Sequence, residues 1–343
     1  MIERRIASID LPSRPTHTCC AAPGADSGGS GAHWHETSSG YDLPSRPAGL
    51  YEPVRYALEG GGKRLRPLLA VQACLACGGT ADEAMPAALA LEMFHNFTLV
   101  HDDIMDRSDV RRGRPSAAAR FGSNQAILSG DAMLTFASCL VSQVPARAVA
   151  EVTAVFNDMA LRVYEGQQLD TEFETRKNVT IDEYFEMIGL KTGALLSAAC
   201  RIGAIIGDAD PATADALAEY GMELGLAFQL RDDWLDTFGD HATFGKPIGG
   251  DIVNEKETWM LITARRESHG ELDSILAEDL EPQEKIRQVT RLYERLRVGE
   301  RCDAAAAEHH ALAIAALDHA KFSDESLKQF FVDVVDRMAS RNI

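Results

Sequence analysis

The sequence predicts an all-α fold, and three observations carry that prediction. Apolar residues recur at helical spacing from Leu50 onward, period-two strand segments are absent, and aromatic residues are only 7% of a chain rich in Ala and Leu. Gly and Pro punctuate the pattern at Gly78-Gly79, Gly207 to Pro211 and Gly239 to Gly250. Between these breaks helices are expected over roughly 50–60, 65–77, 82–106, 123–142, 147–173, 181–206, 211–237, 255–268, 280–297, 302–320 and 324–340. So many helices around one core describe a large bundle with a cavity between facing helices.

Before Leu50 the character is different. Residues 1–48 are rich in Ser, Gly, Pro and His, lack apolar periodicity and contain "DLPSRP" twice, at Asp10 to Pro15 and Asp42 to Pro47. They read as a flexible extension, with residues 49–343 forming the all-α domain. The seven cysteines are odd in number and scattered, which fits reduced thiols. Neither Cys19-Cys20 near His33 and His35 nor Cys74-x-x-Cys77 has a second pair at zinc spacing, and His17 joins the histidines without an assignable role. A net charge of −18 argues against nucleic acid as a partner. No uninterrupted apolar run approaches the ~20 residues of a membrane span, and "MIERRIASIDLPSRP" lacks the apolar region of a signal peptide, so a cytoplasmic protein is expected.

The chemistry concentrates in two acidic clusters. In "LVHDDIMDRSDVRRGRP", Asp102, Asp103 and Asp106 form D-D-x-x-D at the end of an apolar helix, and the i, i+4 spacing puts Asp102 and Asp106 on one face. "FQLRDDWLD" repeats the pattern with Asp232, Asp233 and Asp236. Like charges at this spacing destabilise a helix, and hard divalent cations with oxygen ligands relieve the repulsion. Two such clusters facing each other across a bundle would hold several Mg²⁺ ions around a polyanion. The alternative, a solvated helix end, accounts poorly for two copies that are each accompanied by cations.

Those cations are Lys63, Arg64 and Arg66 in "GGGKRLRP", Arg111, Arg112 and Arg114 in "RRGRP", and Lys246 and Lys256 in "GKPIGGDIVNEK". Beside glycine-rich turns in an acidic chain they point to phosphate, bidentate through Arg and as a point charge through Lys. Two diphosphates fit, one held through metal and one directly. The P-loop spacing G-x-x-x-x-G-K-[ST] is missing, so ATP is not implied.

From Leu50 to its end the chain resembles the trans-type isoprenyl diphosphate synthases, on "GGKRLRP", "DDIMD" with "RRGRP", "KTG" at Lys191 to Gly193, "FQLRDDWLD" and "GKPIGGD". The resemblance implies an all-α bundle around a deep cavity, a homodimer, and Mg²⁺ as cofactor at three ions per active site. It implies isopentenyl diphosphate and an allylic diphosphate as substrates, joined head to tail. Lys63, Arg66, His95 and Arg112 resemble the residues that hold isopentenyl diphosphate. Asp102, Asp106 and Asp232 resemble direct metal ligands, supported by Asp103, Asp233 and Asp236. Arg111, Lys191, Gln229, Lys246 and Lys256 match contacts to the allylic diphosphate, and Thr192 lies where the developing cation is stabilised. Product length would depend on Thr98, about one turn below Asp102, on Phe97 one step round, and on Phe94 about 12 Å below at ~1.5 Å rise per residue. The small Thr98 favours geranylgeranyl over farnesyl diphosphate, while simple core packing remains the other reading of Phe94 and Phe97. A class I terpene cyclase would carry an Asn/Ser/Glu-like second motif, and a non-catalytic partner subunit would be expected to lack one acidic motif; here both are Asp-rich and intact.

Overall fold

The computed structural model describes residues 34–36, 42–239 and 248–339. Lys246, the first "DLPSRP" copy, Cys19, Cys20, His17 and His33 lie outside them. The described chain is helical apart from two small antiparallel hairpins, and it divides into two compact units: residues 1–154 with 202–208, and residues 155–201 with 209–343.

In the first unit β1 (Trp34–Glu36) pairs with β2 (Asp42–Pro44). The second repeat copy is thereby anchored, because Leu43 is buried and Arg55 Nη2 donates to the Leu43 and Pro44 carbonyls at 3.3 and 2.5 Å. Three helices follow: α1 (Ala48–Leu58), α2 (Leu65–Ala76) and α3 (Ala81–Met105). Thr80 starts α3 with a capping box, its hydroxyl accepting from the Glu83 N–H while Glu83 accepts from the Thr80 N–H. Small residues at Ala84, Ala87, Ala88 and Ala90 are buried, and α3 packs against α2 and α5. The segment "VRRGRP" folds as a hairpin of β3 (Val110–Arg111) and β4 (Arg114–Pro115), which helical periodicity does not announce. Its turn residues Arg112 and Gly113 have φ of 52° and 72°, the handedness that a two-residue hairpin needs. Then come α4 (Ala117–Phe121) and α5 (Ser123–Val141).

Helix α6 (Val149–Phe173) leads into the second unit, followed by α7 (Ile181–Ile188), a π-helical turn at Gly189–Gly193 and α8 (Ala194–Ile206). The single helix expected over 181–206 is therefore interrupted by a π turn that runs from Gly189 to Gly193. This stretch, Ile181–Ile206, is long and apolar enough by composition to cross a membrane, but 67% of its most apolar window is buried inside the protein. Helix α9 (Pro211–Phe238) is capped by Asp210, with Pro211 at its first position. Gly221 and Gly225 let its backbone meet α8 and the π turn: a Cβ there would lie 2.5 Å from the Leu196 carbonyl oxygen and 2.6 Å from the Gly193 Cα. Next are α10 (Gly250–Val253), α11 (Trp259–Glu267), α12 (Glu271–Ala277), α13 (Pro282–Arg295), α14 (Val298–Ala316) and α15 (Lys328–Ala339). The helix expected from 255 begins at Trp259, where Thr258 caps it. Tyr184, Leu230, Leu272 and Tyr293 are among the core residues of this unit.

Candidate active site

Each unit carries one acidic cluster, and each cluster ends a long helix. Asp102 and Asp103 occupy the last turn of α3, and Asp106 is its C-cap. Asp232, Asp233 and Asp236 occupy the last two turns of α9. Neither helix has a basic residue in its last turn. Carboxylates at the negative pole of a helix are opposed by its dipole as well as by one another, so both clusters are arranged for a cation from outside the helix.

Around the first cluster, α3 presents a buried polar stripe of Glu92, Asn96 and Asp103. Arg111 Nε and Nη2 both donate to Asp103 Oδ1, at 2.8 and 2.5 Å. Asp103 is thus committed to orienting Arg111. Glu92 accepts from Arg64 and, at 2.7 Å, from Asn96 Nδ2, while Arg64 Nη2 reaches the Leu58 carbonyl at 2.5 Å. Arg64 therefore faces inward and braces the start of α2 from a left-handed conformation, φ 49°.

Arg66 and Arg112 serve a different end. Arg66 Nη1 donates to His95 Nε2 at 3.2 Å, which leaves the ring proton on Nδ1. Burial, then the charges of Arg66, Arg112, Arg111 and Arg64, hold the His95 pKa well below the ordinary value, so the ring is neutral. Burial also lowers Arg66, to about 10, against the opposing pull of Glu92. Arg112 donates to the Gly61 carbonyl, and Gly62 makes room for it: a Cβ there would lie 2.9 Å from Arg112 Nη2, at a φ of 132°. Lys63 is exposed on the same loop. A cleft of about 400 Å³, open to solvent, is lined by Tyr56, Gly60, Asn96, Asp103, Arg111 and Arg112. Four arginines against two buried acids leave a positive excess, the condition for holding an anion.

Lower on α3, Thr98 donates back to the His95 carbonyl. Phe94 and Phe97 are buried, with ring centroids 5.5 Å apart, and Phe97 meets His101 edge-on at 4.8 Å. Both rings therefore pack in the interior.

In the second unit a hydrogen-bonded chain runs from Thr192 through Gln229 and Asp233 to Tyr184. Thr192 Oγ1 donates to Gln229 Oε1 at 3.2 Å, Gln229 Nε2 to Asp233 Oδ1 at 2.9 Å, and Tyr184 OH to Asp233 Oδ2 at 2.6 Å. Lys191 Nζ pairs with Asp170 at 2.5 Å. The π turn that carries Lys191 and Thr192 is pressed against α6, where a Cβ on Gly166 would lie 2.3 Å from the Lys191 nitrogen. Asp236 accepts from the Asp251 N–H at 2.9 Å. Burial pushes the Asp233 carboxyl up to about 6 and the Asp251 carboxyl up to about 7; Lys256 opposes this and the neighbouring aspartates add to it. A cleft of about 290 Å³ is lined by Asp170, Lys191, Thr192, Gln229, Asp233 and Lys256 among others.

Sequence reasoning missed Glu92, Asn96, Asp170, Tyr184 and Asp251 as members of these sites. Asp251 stood in the "GGD" of a recognised motif, a signal that was available; the others show their role only through their partners in space. Among the described residues no three His, Cys, Asp or Glu side chains converge in ligating geometry. The donors of both clusters are nevertheless all carboxylate oxygens, and around Asp251 the charges of Asp232, Asp233 and Asp236 add to one another. That fits a hard dication which takes one or two carboxylates and completes its shell with water and phosphate oxygens.

Comparisons with known proteins agree with this chemistry. Residues 47–296 match the polyprenyl synthetase family. A geranylgeranyl diphosphate synthase of Methanosarcina mazei is 44% identical over 223 residues, 64% of this chain and 68% of that protein. A crystal structure of a geranylgeranyl pyrophosphate synthase superposes with a TM-score of 0.83 at 39% identity, covering 87% of this chain and 93% of the other. That of the Corynebacterium glutamicum geranylgeranyl pyrophosphate synthase, complexed with isoprenyl diphosphate and magnesium, gives 0.78 at 29% identity over 86% and 91%. With the all-α fold, two aspartate-rich helix ends and the basic sets beside them, the chain belongs to the polyprenyl synthetase family and is a prenyltransferase.

Proposed function

We propose that this enzyme condenses isopentenyl diphosphate with an allylic diphosphate, head to tail, and that geranylgeranyl diphosphate is its product. The observation that carries the reading is the pairing, in each unit, of a helix-terminal aspartate cluster with its own basic set. Divalent Mg²⁺, at three ions per site, supplies charge neutralisation that lets the allylic diphosphate depart. Asp102, Asp106 and Asp232 are its direct ligands in this reading, with Asp103, Asp233 and Asp236 in support. Lys191, Lys256, Lys246 and Arg111 hold the allylic diphosphate. Arg66, Arg112, Lys63 and the neutral His95 hold isopentenyl diphosphate, so that its double bond reaches the allylic cation before water does. Thr192 and Gln229 present oriented dipoles to the developing positive charge. The proton released after bond formation passes to the departed diphosphate, because the motifs contain no obvious side-chain base.

The small Thr98 leaves a well below Asp102 that Phe97 and Phe94 floor. Farnesyl diphosphate is the alternative product, and a Phe97→Ala enzyme that makes an unchanged product refutes the floor assigned to Phe97. A homodimer is supported by Ile127 and Leu128, exposed by 42% and 59% on α5, an apolar area that a second copy would cover. Cytoplasmic localisation is the reading of seven cysteines, odd in number and scattered along the chain. Incubating the purified protein with isopentenyl diphosphate, an allylic diphosphate and Mg²⁺ and sizing the products tests the whole reading. A C20 prenyl diphosphate is expected; a cyclised hydrocarbon would make it a terpene cyclase, and no product a non-catalytic subunit.

A further inference from the structure

Lys256 lies in the short connection between α10 and α11, and the geometry of that connection assigns a task to a residue outside the motifs. Its own backbone is fixed on both sides: the Lys256 N–H donates to the Asp251 carbonyl at 2.9 Å, and the Thr258 N–H donates to the Lys256 carbonyl at 2.7 Å. The preceding residue, Glu255, has φ 50°, a conformation that a non-glycine residue keeps only where its surroundings hold it. Those surroundings belong to α13. Lys285 Nζ bonds Glu255 Oε1 at 2.9 Å, with the Lys285 side chain only 15% exposed. The next residue, Ile286, fills the space beside Gly249, where a Cβ would lie 2.6 Å from the Ile286 Cδ1.

The following residue is held as firmly. Glu257 is buried and takes both its oxygens to Arg265 Nη1, at 2.6 and 2.7 Å, while Arg265 Nε binds Asp273 at 3.0 Å. Lys256 is therefore flanked by two carboxylates, each turned into an ion pair. An anion in the cleft of Lys191 and Lys256 meets the lysine without two uncompensated acids beside it.

We propose that Lys285 is a positioning residue: by holding Glu255 against α13 it keeps Lys256 aimed at the cleft and keeps the Glu255 carboxylate away from the bound anion. This rests on the assignment of Lys256 to the allylic diphosphate. The substitution is Lys285→Met, which keeps the length of the side chain and removes its charge. Steady-state kinetics on the full-length enzyme should show KM for the allylic diphosphate raised about tenfold, KM for isopentenyl diphosphate within twofold, and Lys285→Arg returning the first value to within threefold. Glu255→Gln breaks the same pair from the other side and should raise KM for the allylic diphosphate about threefold, which keeps the test open if Lys285→Met does not fold. Unchanged allylic KM in both variants, or equal rises in both KM values, overturns the proposal. A Lys256→Ala enzyme with normal allylic KM overturns the assignment beneath it instead, and absence of any product from the unsubstituted protein overturns the proposed reaction.

Discussion

Glu92 is the strongest test of how the proposed isopentenyl diphosphate site is built, because it is buried, negative and touches no substrate in the proposed reaction. Its carboxylate takes Arg64 and Asn96, and Arg64 braces the α2 terminus that carries Arg66. Breaking one side of a fully buried ion pair costs about 3–5 kcal/mol. Arg64 keeps 22% of its side-chain surface and its bond to the Leu58 carbonyl, so for Glu92→Gln, which preserves volume and an acceptor, about 1–2 kcal/mol is the better figure. That loss lowers the melting temperature by roughly 1–3 °C in a protein of this size. The charge effect runs the other way: four arginines against Glu92 and Asp103 leave +2, and removing Glu92 makes it +3. If charge alone governed binding, KM for isopentenyl diphosphate would fall. If the geometry of Arg66 governs, KM rises, and about fivefold is expected for a loss near 1 kcal/mol. Steady-state kinetics and thermal unfolding on the same preparation decide it. A Glu92→Gln enzyme with unchanged melting temperature and a lower KM refutes the bracing role.

Two further perturbations test the second unit. Gly166→Ala places a methyl group 2.3 Å from the Lys191 nitrogen and 2.8 Å from the Leu190 carbonyl carbon, so the π turn must move; kcat/KM for the allylic diphosphate should fall about a hundredfold. Gly189→Ala is its control, since a Cβ there meets only the Leu226 and Met222 side chains at 3.8 Å, and kinetics like those of Gly166→Ala would remove the steric explanation. His310 is buried with Nε2 unpartnered, and burial, then Arg231 and His309, hold its pKa below the ordinary value against Asp303 and Asp336. The unfolded chain therefore binds a proton that the folded one resists, so stability is full above the ordinary His pKa of about 6.5 and is lost as pH falls below it. His310→Leu should flatten the fall in melting temperature between about pH 7.5 and about pH 5; an equally steep fall sinks the assignment.

Much of this was legible in the chain because helices announce themselves by period, and because two identical acidic motifs are hard to explain as surface. That both clusters end helices could be read without coordinates, since the i, i+4 spacing of Asp102 with Asp106 and of Asp232 with Asp236 is a property of the sequence. The division of labour among the arginines could not. Arg64 and Arg66 are two residues apart in one basic run, yet one braces α2 on Glu92 and the other meets His95. The "RRGRP" hairpin escaped helical pattern reading because its strands are two residues each and its turn rests on two positive φ values. The Lys191–Asp170 and Tyr184–Asp233 contacts join residues 21 and 49 positions apart, a pairing that packing decides and period does not.

The placement of Asp102 and Asp106 leads to a last prediction, which separates stability from function. Both stand at the negative end of α3, one turn apart, where the dipole opposes each by about 0.3–1 kcal/mol and their mutual repulsion adds about 0.2–0.5 kcal/mol. Asparagine keeps their shape and their capacity to accept hydrogen bonds while removing the charge. The Asp102→Asn/Asp106→Asn enzyme should therefore melt higher than the unsubstituted protein by about 1–3 °C in a chelating buffer, for a gain near 1–2 kcal/mol. Its turnover should fall by at least about a thousandfold, because the metal-mediated hold on the allylic diphosphate is lost. Adding Mg²⁺ with inorganic diphosphate should then raise the melting temperature of the unsubstituted protein and leave that of the double variant where it was. A double variant that melts lower in chelator would mean that these carboxylates are structural, held by contacts within the fold, and the argument from repulsion to metal would fail at its first step.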